Sequence, residues 1–260
     1  MMVMVKSPPR PSKKRLDLLL VERGLAESRQ KAQAMILAGR VRVAGQPALK
    51  SGAMISADAQ VEIAGKGSRY ASRAGEKLEG ALRDFGVDPA DRICLDAGSS
   101  TGGFTDCLLQ HSAAKIYAVD VTVSQLAWKL QRDPRVVPLG MNVRYLKPEN
   151  LPERPSLITA DLSFISLGKV LPALVGAAQE RAEFLLLIKP QFELERGEVG
   201  KGGIVRDPKL HERAIERVRK AAEACGMRVL AVKPSRVPGA EGNLEFFLHA
   251  ARGASVKTSG

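Results

Sequence analysis

The sequence predicts an α/β protein built on a doubly wound sheet, with a small basic α+β module ahead of it. Three observations carry this prediction. From residue 73 onward, short apolar runs of strand length alternate with stretches whose apolar residues recur every three or four positions, the pattern of strands joined by crossover helices. A glycine-rich turn follows the first of these strands, on the side where such sheets bind ligands. The charge is also uneven: residues 1–75 hold 14 basic and 5 acidic side chains, a surplus of +9, against a total of +12 for the whole chain. With 260 residues the chain has room for a large domain and a small one. A localised basic surplus points to a polyanionic partner, either nucleic acid or an anionic membrane surface.

Taken in order, residues 1–12 read as a disordered tail rich in proline. Leu16, Leu19 and Leu20 mark the apolar face of a first helix that stops at Gly24. Ser28 is placed to cap a second helix, whose buried face carries Ala32, Met35 and Ile36 and which ends at Gly39. Val41 to Val43 alternates as a strand, residues 44–47 form a turn, and Val61 to Ile63 is a later strand. This places the basic module at 13–64, followed by a Gly/Ser-rich linker at 65–72.

The larger domain is predicted at 73–252, with a tail at 253–260. Its helices are expected at 73–85, 104–110, 123–131, 168–178 and 207–224, and its strands at 93–95, 116–119, 136–139, 157–160, 184–188, 227–232 and 244–248. Cys94, Cys107 and Cys225 are too few and too scattered for a disulfide framework or a zinc site, so they read as reduced packing residues and no metal is expected. No apolar run approaches the roughly 18 residues that span a bilayer, and the first residues are too short for a signal core. The expected location is the cytoplasm.

The turn Asp96-Ala97-Gly98-Ser99-Ser100-Thr101-Gly102-Gly103-Phe104-Thr105 runs from strand into helix. Its G-x-x-x-G-G spacing misses the dinucleotide fingerprint, with Ser100 where the second glycine would stand. Its neighbours sharpen it. Asp120 ends the next strand, where a carboxylate can accept from a ribose diol, and Asn142 follows the third, where an amide can read an adenine edge. Together they outline a pocket for an adenosine-containing cofactor. Residues 197–203 lack the P-loop spacing and read as a lid. A second constellation is Lys77, Asp161, Lys189 and Glu245: two of these close predicted strands on the ligand side, Glu245 begins the last strand, and Lys77 lies on the helix entering the domain.

The basic segment, with its leading Arg15-Leu16-Asp17, Ser28-Arg29 and Gly39-Arg40-Val41, resembles the RNA-binding domain named after ribosomal protein S4. The resemblance implies RNA contacts from Arg15, Arg29, Lys31, Arg40 and Arg42. The whole order of motifs resembles the TlyA-type proteins, historically called hemolysins. It includes SRAGEKLEGAL, DAGSSTGGFTDCLLQ, ADLSFISL, LIKPQFE, GGIVRD and EGNLEFFL. That resemblance implies a Rossmann-like methyltransferase sheet of the FtsJ class using S-adenosylmethionine. The implied reaction is 2'-O-ribose methylation of ribosomal RNA in ribosomal subunits, at a cytidine in the large subunit and in some members also one in the small subunit. It implies a catalytic tetrad of Lys77, Asp161, Lys189 and Glu245, and cofactor contacts from Asp96, Gly98, Ser100, Gly102, Gly103, Phe104, Asp120, Asn142 and Asp161. Ala71 and Ala74 depart from the family's linker pattern.

Chemically, a ribose hydroxyl needs its proton removed or polarised before it attacks, which makes Lys189 the candidate base and Asp161 its orienting partner. Lys77 and Glu245 are then expected to hold the nucleotide and balance charge. A base N-methyltransferase is the nearest rival, because Asp161-Leu162-Ser163-Phe164 resembles a D-P-P-Y-like loop. The missing prolines and the two lysines count against it. A pore-forming hemolysin would need an amphipathic or spanning segment that the sequence does not offer.

Overall fold

A computed structural model describes residues 13–26, 28–48, 50–63, 69–195, 197–239 and 242–253. The expected N-terminal tail, residues 65–68 of the expected linker and residues 254–260 lie outside this description. The chain divides into two compact units, residues 1–68 and 69–260.

The first unit runs β1 (Lys13–Arg15), α1 (Leu16–Glu22), α2 (Arg29–Leu37), β2 (Val41–Val43), β3 (Gln46–Pro47), β4 (Met54–Ser56) and β5 (Val61–Ile63). Ser28 caps α2 as expected, its hydroxyl accepting from the Lys31 backbone N–H at 3.2 Å. The predicted apolar faces meet in one core of Leu16, Leu20, Ala26, Ala32, Ile36 and Val41. Each large aliphatic buried there contributes on the order of 2 kcal/mol. Strand β2 lies between β3 and β5, while β1 pairs with β4 in a separate two-stranded ribbon. Neither β1 nor β4 was expected, because KKR and MIS carry no alternation of their own. Only pairing across forty residues makes them strands.

The second unit runs α3 (Ala74–Phe85), β6 (Ile93–Ala97), α4 (Gly103–Gln110), β7 (Lys115–Asp120), α5 (Trp128–Gln131), β8 (Val136–Gly140), β9 (Leu157–Ala160), α6 (Leu171–Ala177), β10 (Glu183–Ile188), α7 (Pro190–Glu193), α8 (Pro208–Ala224), β11 (Met227–Pro234) and β12 (Phe246–Arg252). Its seven strands form one sheet in the order β8-β7-β6-β9-β10-β12-β11. Strands β6 to β10 are mutually parallel, and β12 enters antiparallel between β10 and β11. Side chains alternate across the sheet, so Leu95 and Leu186 join one core with α6 and α8, while Cys94 and Leu185 join the other with α3 and α4. Burial pushes the Cys94 and Cys107 thiols up to about 12, the behaviour of packing residues. No described helix is long and apolar enough to cross a membrane.

Three predicted elements change. The helix expected at 123–131 breaks into a 3₁₀ turn at Val123–Gln125 and the short α5. Between them Leu126 and Ala127 are extended, because the Ala127 N–H is donated to Thr101 O in the glycine-rich turn at 3.1 Å rather than to an intrahelical carbonyl. The helix expected from Gly168 begins at Leu171 after a 3₁₀ turn, with Pro172 tolerated in its first turn. The last strand begins at Phe246, so Glu245 stands just before it rather than within it.

Candidate active site

The topology fixes where the site must be. The chain runs β6 to β7 to β8 in one direction across the sheet, then returns to place β9 on the other side of β6. At this reversal the loops after β6 and β9 part and leave a crevice. A cavity of about 160 Å³ lies there, lined by Ser72, Ala74, the turn from Gly98 to Thr101, Gly103, Phe104, Asp161, Ser163 and Lys189.

All three glycines of the turn are required by close protein contacts. Gly98 has φ +84°, and a Cβ on it would meet Asp161 O at 2.6 Å. A Cβ on Gly103 would meet Ser72 Oγ at 2.3 Å, where the first turns of α3 and α4 cross. Gly98 therefore lets the turn approach Asp161 at the foot of the crevice, and Gly103 lets α4 pack on the start of α3, rather than only clearing space for a ligand. Gly102 is not on the cavity wall; it backs onto Leu126 and Leu130. Ser100 takes the left-handed conformation at φ +46°, a strained position for a residue with a side chain.

Asp96 is fully buried behind this turn, its Oδ2 accepting from Thr105 Oγ1 at 2.6 Å. Its Oδ1, like Ser99 Oγ, is buried without a hydrogen-bond partner. Burial, with a smaller contribution from the Asp161 charge, pushes the Asp96 carboxyl up to about 7. Asp120, the last residue of β7, and Asn142, after β8, stand beyond the cavity wall. Asp120 already accepts from the backbone N–H groups of Ser100 and Thr122, each at 2.9 Å. Asn142 accepts from the Arg144 N–H at 3.0 Å with its side-chain oxygen, which leaves its NH₂ for other work.

The four charged residues come together as two pairs. Lys77 Nζ donates to Glu245 Oε2 at 2.6 Å, with both side chains buried. Lys189 Nζ touches Asp161 Oδ1 at 2.6 Å, but off the direction of a hydrogen bond; the amine donates instead to Ser163 Oγ at 2.9 Å. Sheet register explains the convergence. Ala97, Ala160 and Leu186 lie side by side, so the loops they feed are neighbours, and Ile188 faces Phe246, so Lys189 and Glu245 lie one step past a matched pair. Asp161 and Lys189 line the cavity, whereas Lys77 and Glu245 do not.

Several residues of the site were given no role of their own by the sequence. Ser163 holds the Lys189 amine. Glu193 is buried and binds Ser166 Oγ at 2.6 Å and the Leu167 N–H at 2.8 Å, tethering the loop after Asp161 to the segment after Lys189; burial raises its carboxyl. Phe164 lies on the same loop, almost fully exposed at φ +65°, with its ring 5.2 Å from that of Phe192.

In the first unit, the structure brings Arg15 and Arg29 onto one buried carboxylate, Asp17, which also accepts from Gln33. Their guanidinium groups hold Asp17 well below the usual carboxylate range. Lys31 and Arg42 are exposed and Arg40 is half-buried.

Residues 70–252 match the FtsJ-like methyltransferases, and residues 14–61 match the S4 domain. The chain belongs to the FtsJ-like methyltransferase family. It is 49% identical over 236 residues to the 16S/23S rRNA (cytidine-2'-O)-methyltransferase TlyA of Mycobacterium tuberculosis, covering 90% of this chain and 88% of that one. It is also 43% identical to Hemolysin A of Brachyspira hyodysenteriae, covering 90% of this chain and 98% of that one. A solved structure from Streptococcus thermophilus that carries the hemolysin name matches with a TM-score of 0.73 at 39% identity, over 95% of this chain and 93% of that one. The expected α/β methyltransferase sheet preceded by an S4 domain is therefore what the chain has.

Proposed function

We propose that this chain is an S-adenosylmethionine-dependent methyltransferase that modifies the ribose 2'-oxygen of a cytidine in 23S ribosomal RNA. One observation carries the reading to particular residues: a lysine and a carboxylate in contact, Lys189 and Asp161, on the wall of a cavity at the switch point of a methyltransferase sheet. The residues of the crevice fit the cofactor. Ser99 Oγ on its wall and Asp96 Oδ1 behind the turn are buried and unpartnered, and a ligand with ammonium and hydroxyl donors would satisfy such groups. Gly98, Ser100, Gly103 and Phe104 would line its cradle, with Asp120 and Asn142 placed for the nucleoside end.

When bound, S-adenosylmethionine supplies an electrophilic methyl group on a positively charged sulfur. The protein supplies position and proton handling. Lys189 takes the 2'-hydroxyl proton as the oxygen attacks, which it can do only from its neutral form. Asp161 and Ser163 fix where the amine points. Lys77 and Glu245, buried against each other, set the charge behind the reacting centre. In-line placement of the attacking oxygen contributes more here than assistance to the leaving group, since departure neutralises the sulfur.

In the first unit, Arg29, Lys31, Arg40 and Arg42 supply phosphate contacts to RNA, with Arg15 and Arg29 oriented by Asp17. A unit with this charge and no aromatic residue among positions 13–63 suits backbone contact rather than base stacking. Methyl transfer from labelled cofactor to isolated 50S and 30S subunits, followed by mass mapping of the ribose, tests the reading. The 30S arm decides whether 16S RNA is a second acceptor. Lys189→Ala and Asp161→Ala are expected to bind cofactor and lose transfer. Full turnover by either variant would sink the role given to these residues, and a methyl group on the base would favour the N-methyltransferase reading.

A further inference from the structure

The segment between β11 and β12 contributes Glu245 to the site, and its contacts on that residue go beyond connecting two strands. Glu245 is 3% exposed, and its backbone carbonyl accepts from the Ser235 N–H at 2.8 Å. Its carboxylate packs directly on Gly239. A Cβ placed on that glycine would meet Glu245 Oε1 at 2.1 Å and Cδ at 2.5 Å. Gly239 in turn donates its N–H to Asn243 O at 2.9 Å.

Asn243 is equally buried, and both ends of its amide are used on backbone. Its Oδ1 accepts from the Val205 N–H at 2.9 Å, and its Nδ2 donates to Gly203 O at 2.9 Å. Those two partners are a donor and an acceptor two residues apart, so only a group presenting both functions can satisfy them together. The same stretch is held from the other side by His211, whose Nε2 lies 2.9 Å from Val205 O. Asn243 thus ties the start of the Glu245 turn to the segment leading into α8.

We infer that Gly239 and Asn243 are positioning residues for methyl transfer: together they fix the Glu245 carboxylate against Lys77, Gly239 by its missing side chain and Asn243 by anchoring the turn. This rests on the reading of Lys77 and Glu245 as part of the transfer machinery. The physical logic is geometric. A buried lysine and carboxylate are useful only at one separation and orientation, and a long acidic side chain has rotamer freedom that its surroundings must remove. The glycine face removes it on one side and Lys77 on the other.

The test is a set of variants of the full chain assayed on 50S subunits, with cofactor affinity measured separately by calorimetry. Gly239→Ala keeps every charged group and obliges only the flexible end of Glu245 to move, so it is expected to fold. Its kcat should fall at least tenfold, with KM for subunits and cofactor affinity within twofold of wild type. Asn243→Ala should lower kcat in the same way. Combining either change with Glu245→Gln should leave activity no lower than Glu245→Gln alone, because both act through one carboxylate. If Glu245→Gln itself retains full kcat, the role of the Lys77 and Glu245 pair fails. If Glu245→Gln is impaired while Gly239→Ala turns over at the wild-type rate, or if the losses from Asn243→Ala and Glu245→Gln multiply, the positioning inference is overturned.

Discussion

Each unit of this protein contains an aspartate with no exposed surface, and the two are treated in opposite ways. Asp17 in the basic unit accepts hydrogen bonds from Arg15, Arg29, Gln33 and the Leu18 N–H. Asp96 in the catalytic unit accepts from Thr105 and keeps one oxygen unpartnered. The first carboxyl is held well below its ordinary range and the second is raised to about 7. Neither side chain has exposed surface, but Asp96 lies deep in its unit, where desolvation outweighs the Thr105 hydrogen bond, whereas Asp17 lies just beneath guanidinium groups whose hydrogen bonds outweigh its desolvation. A fully satisfied carboxylate fastens its own fold together, whereas a half-satisfied one is a cost to the fold that a ligand can relieve.

The largest way to break this comparison is Asp17→Ala. Removing the shared acceptor leaves water to solvate the two partly exposed guanidinium groups but takes four side-chain hydrogen bonds from the packing of α1 on α2. It should destabilise the basic unit by about 2 kcal/mol, read as lost hydrogen-exchange protection over 13–63 with the catalytic unit unchanged. The second is Asp96→Asn, which keeps the shape and removes the charge. It should leave the catalytic unit more stable at pH 8, on the order of 2 kcal/mol, while weakening cofactor binding at least tenfold by calorimetry. A destabilised Asp96→Asn protein would mean the carboxylate is structural after all.

The pH dependence sharpens the same contrast. Asp17 has its folded value below the unfolded one, so its contribution is present above about pH 4 and is lost as pH falls below that. Asp96 has its folded value, about 7, above the unfolded one, so its penalty is absent at low pH and grows as pH rises from about 4 to about 7. Denaturant titrations across that window should show a falling stability for the catalytic unit, and Asp96→Asn should flatten it. The smallest effect is expected at Arg42, which is exposed and outside the Asp17 cluster. Arg42→Ala should change stability by less than about 0.5 kcal/mol and lower RNA affinity uniformly, with the salt dependence reduced by about one counterion.

Much of the catalytic unit was legible because its strands are apolar runs and its helices amphipathic, signals carried within a few residues of each other. Asp161 and Lys189 were legible for a related reason: a charged residue directly after such a run must sit at a strand end. The broken helix at 123–131 was not, because Leu126 and Leu130 have helical spacing whether or not the backbone between them bonds to Thr101. The partners of Ser163, Thr105 and Glu193 were not legible, because a serine, a threonine and a glutamate look the same in sequence whether they meet solvent or a buried charged side chain. Asp17 was read as part of a motif, and its grip on Arg15 and Arg29 emerged only when α1 and α2 packed.

The sequence by itself determined the local periods, the charge asymmetry and which residue types were available to do chemistry, since these depend on neighbours along the chain. Tertiary structure alone decided which of them meet. Lys77 and Glu245 are 168 positions apart and become a buried pair because an antiparallel strand enters beside β10. The protonation of Asp96 and the place of the Glu245 carboxylate were likewise decided there, because desolvation and contact are properties of the space around a side chain rather than of the residues next to it.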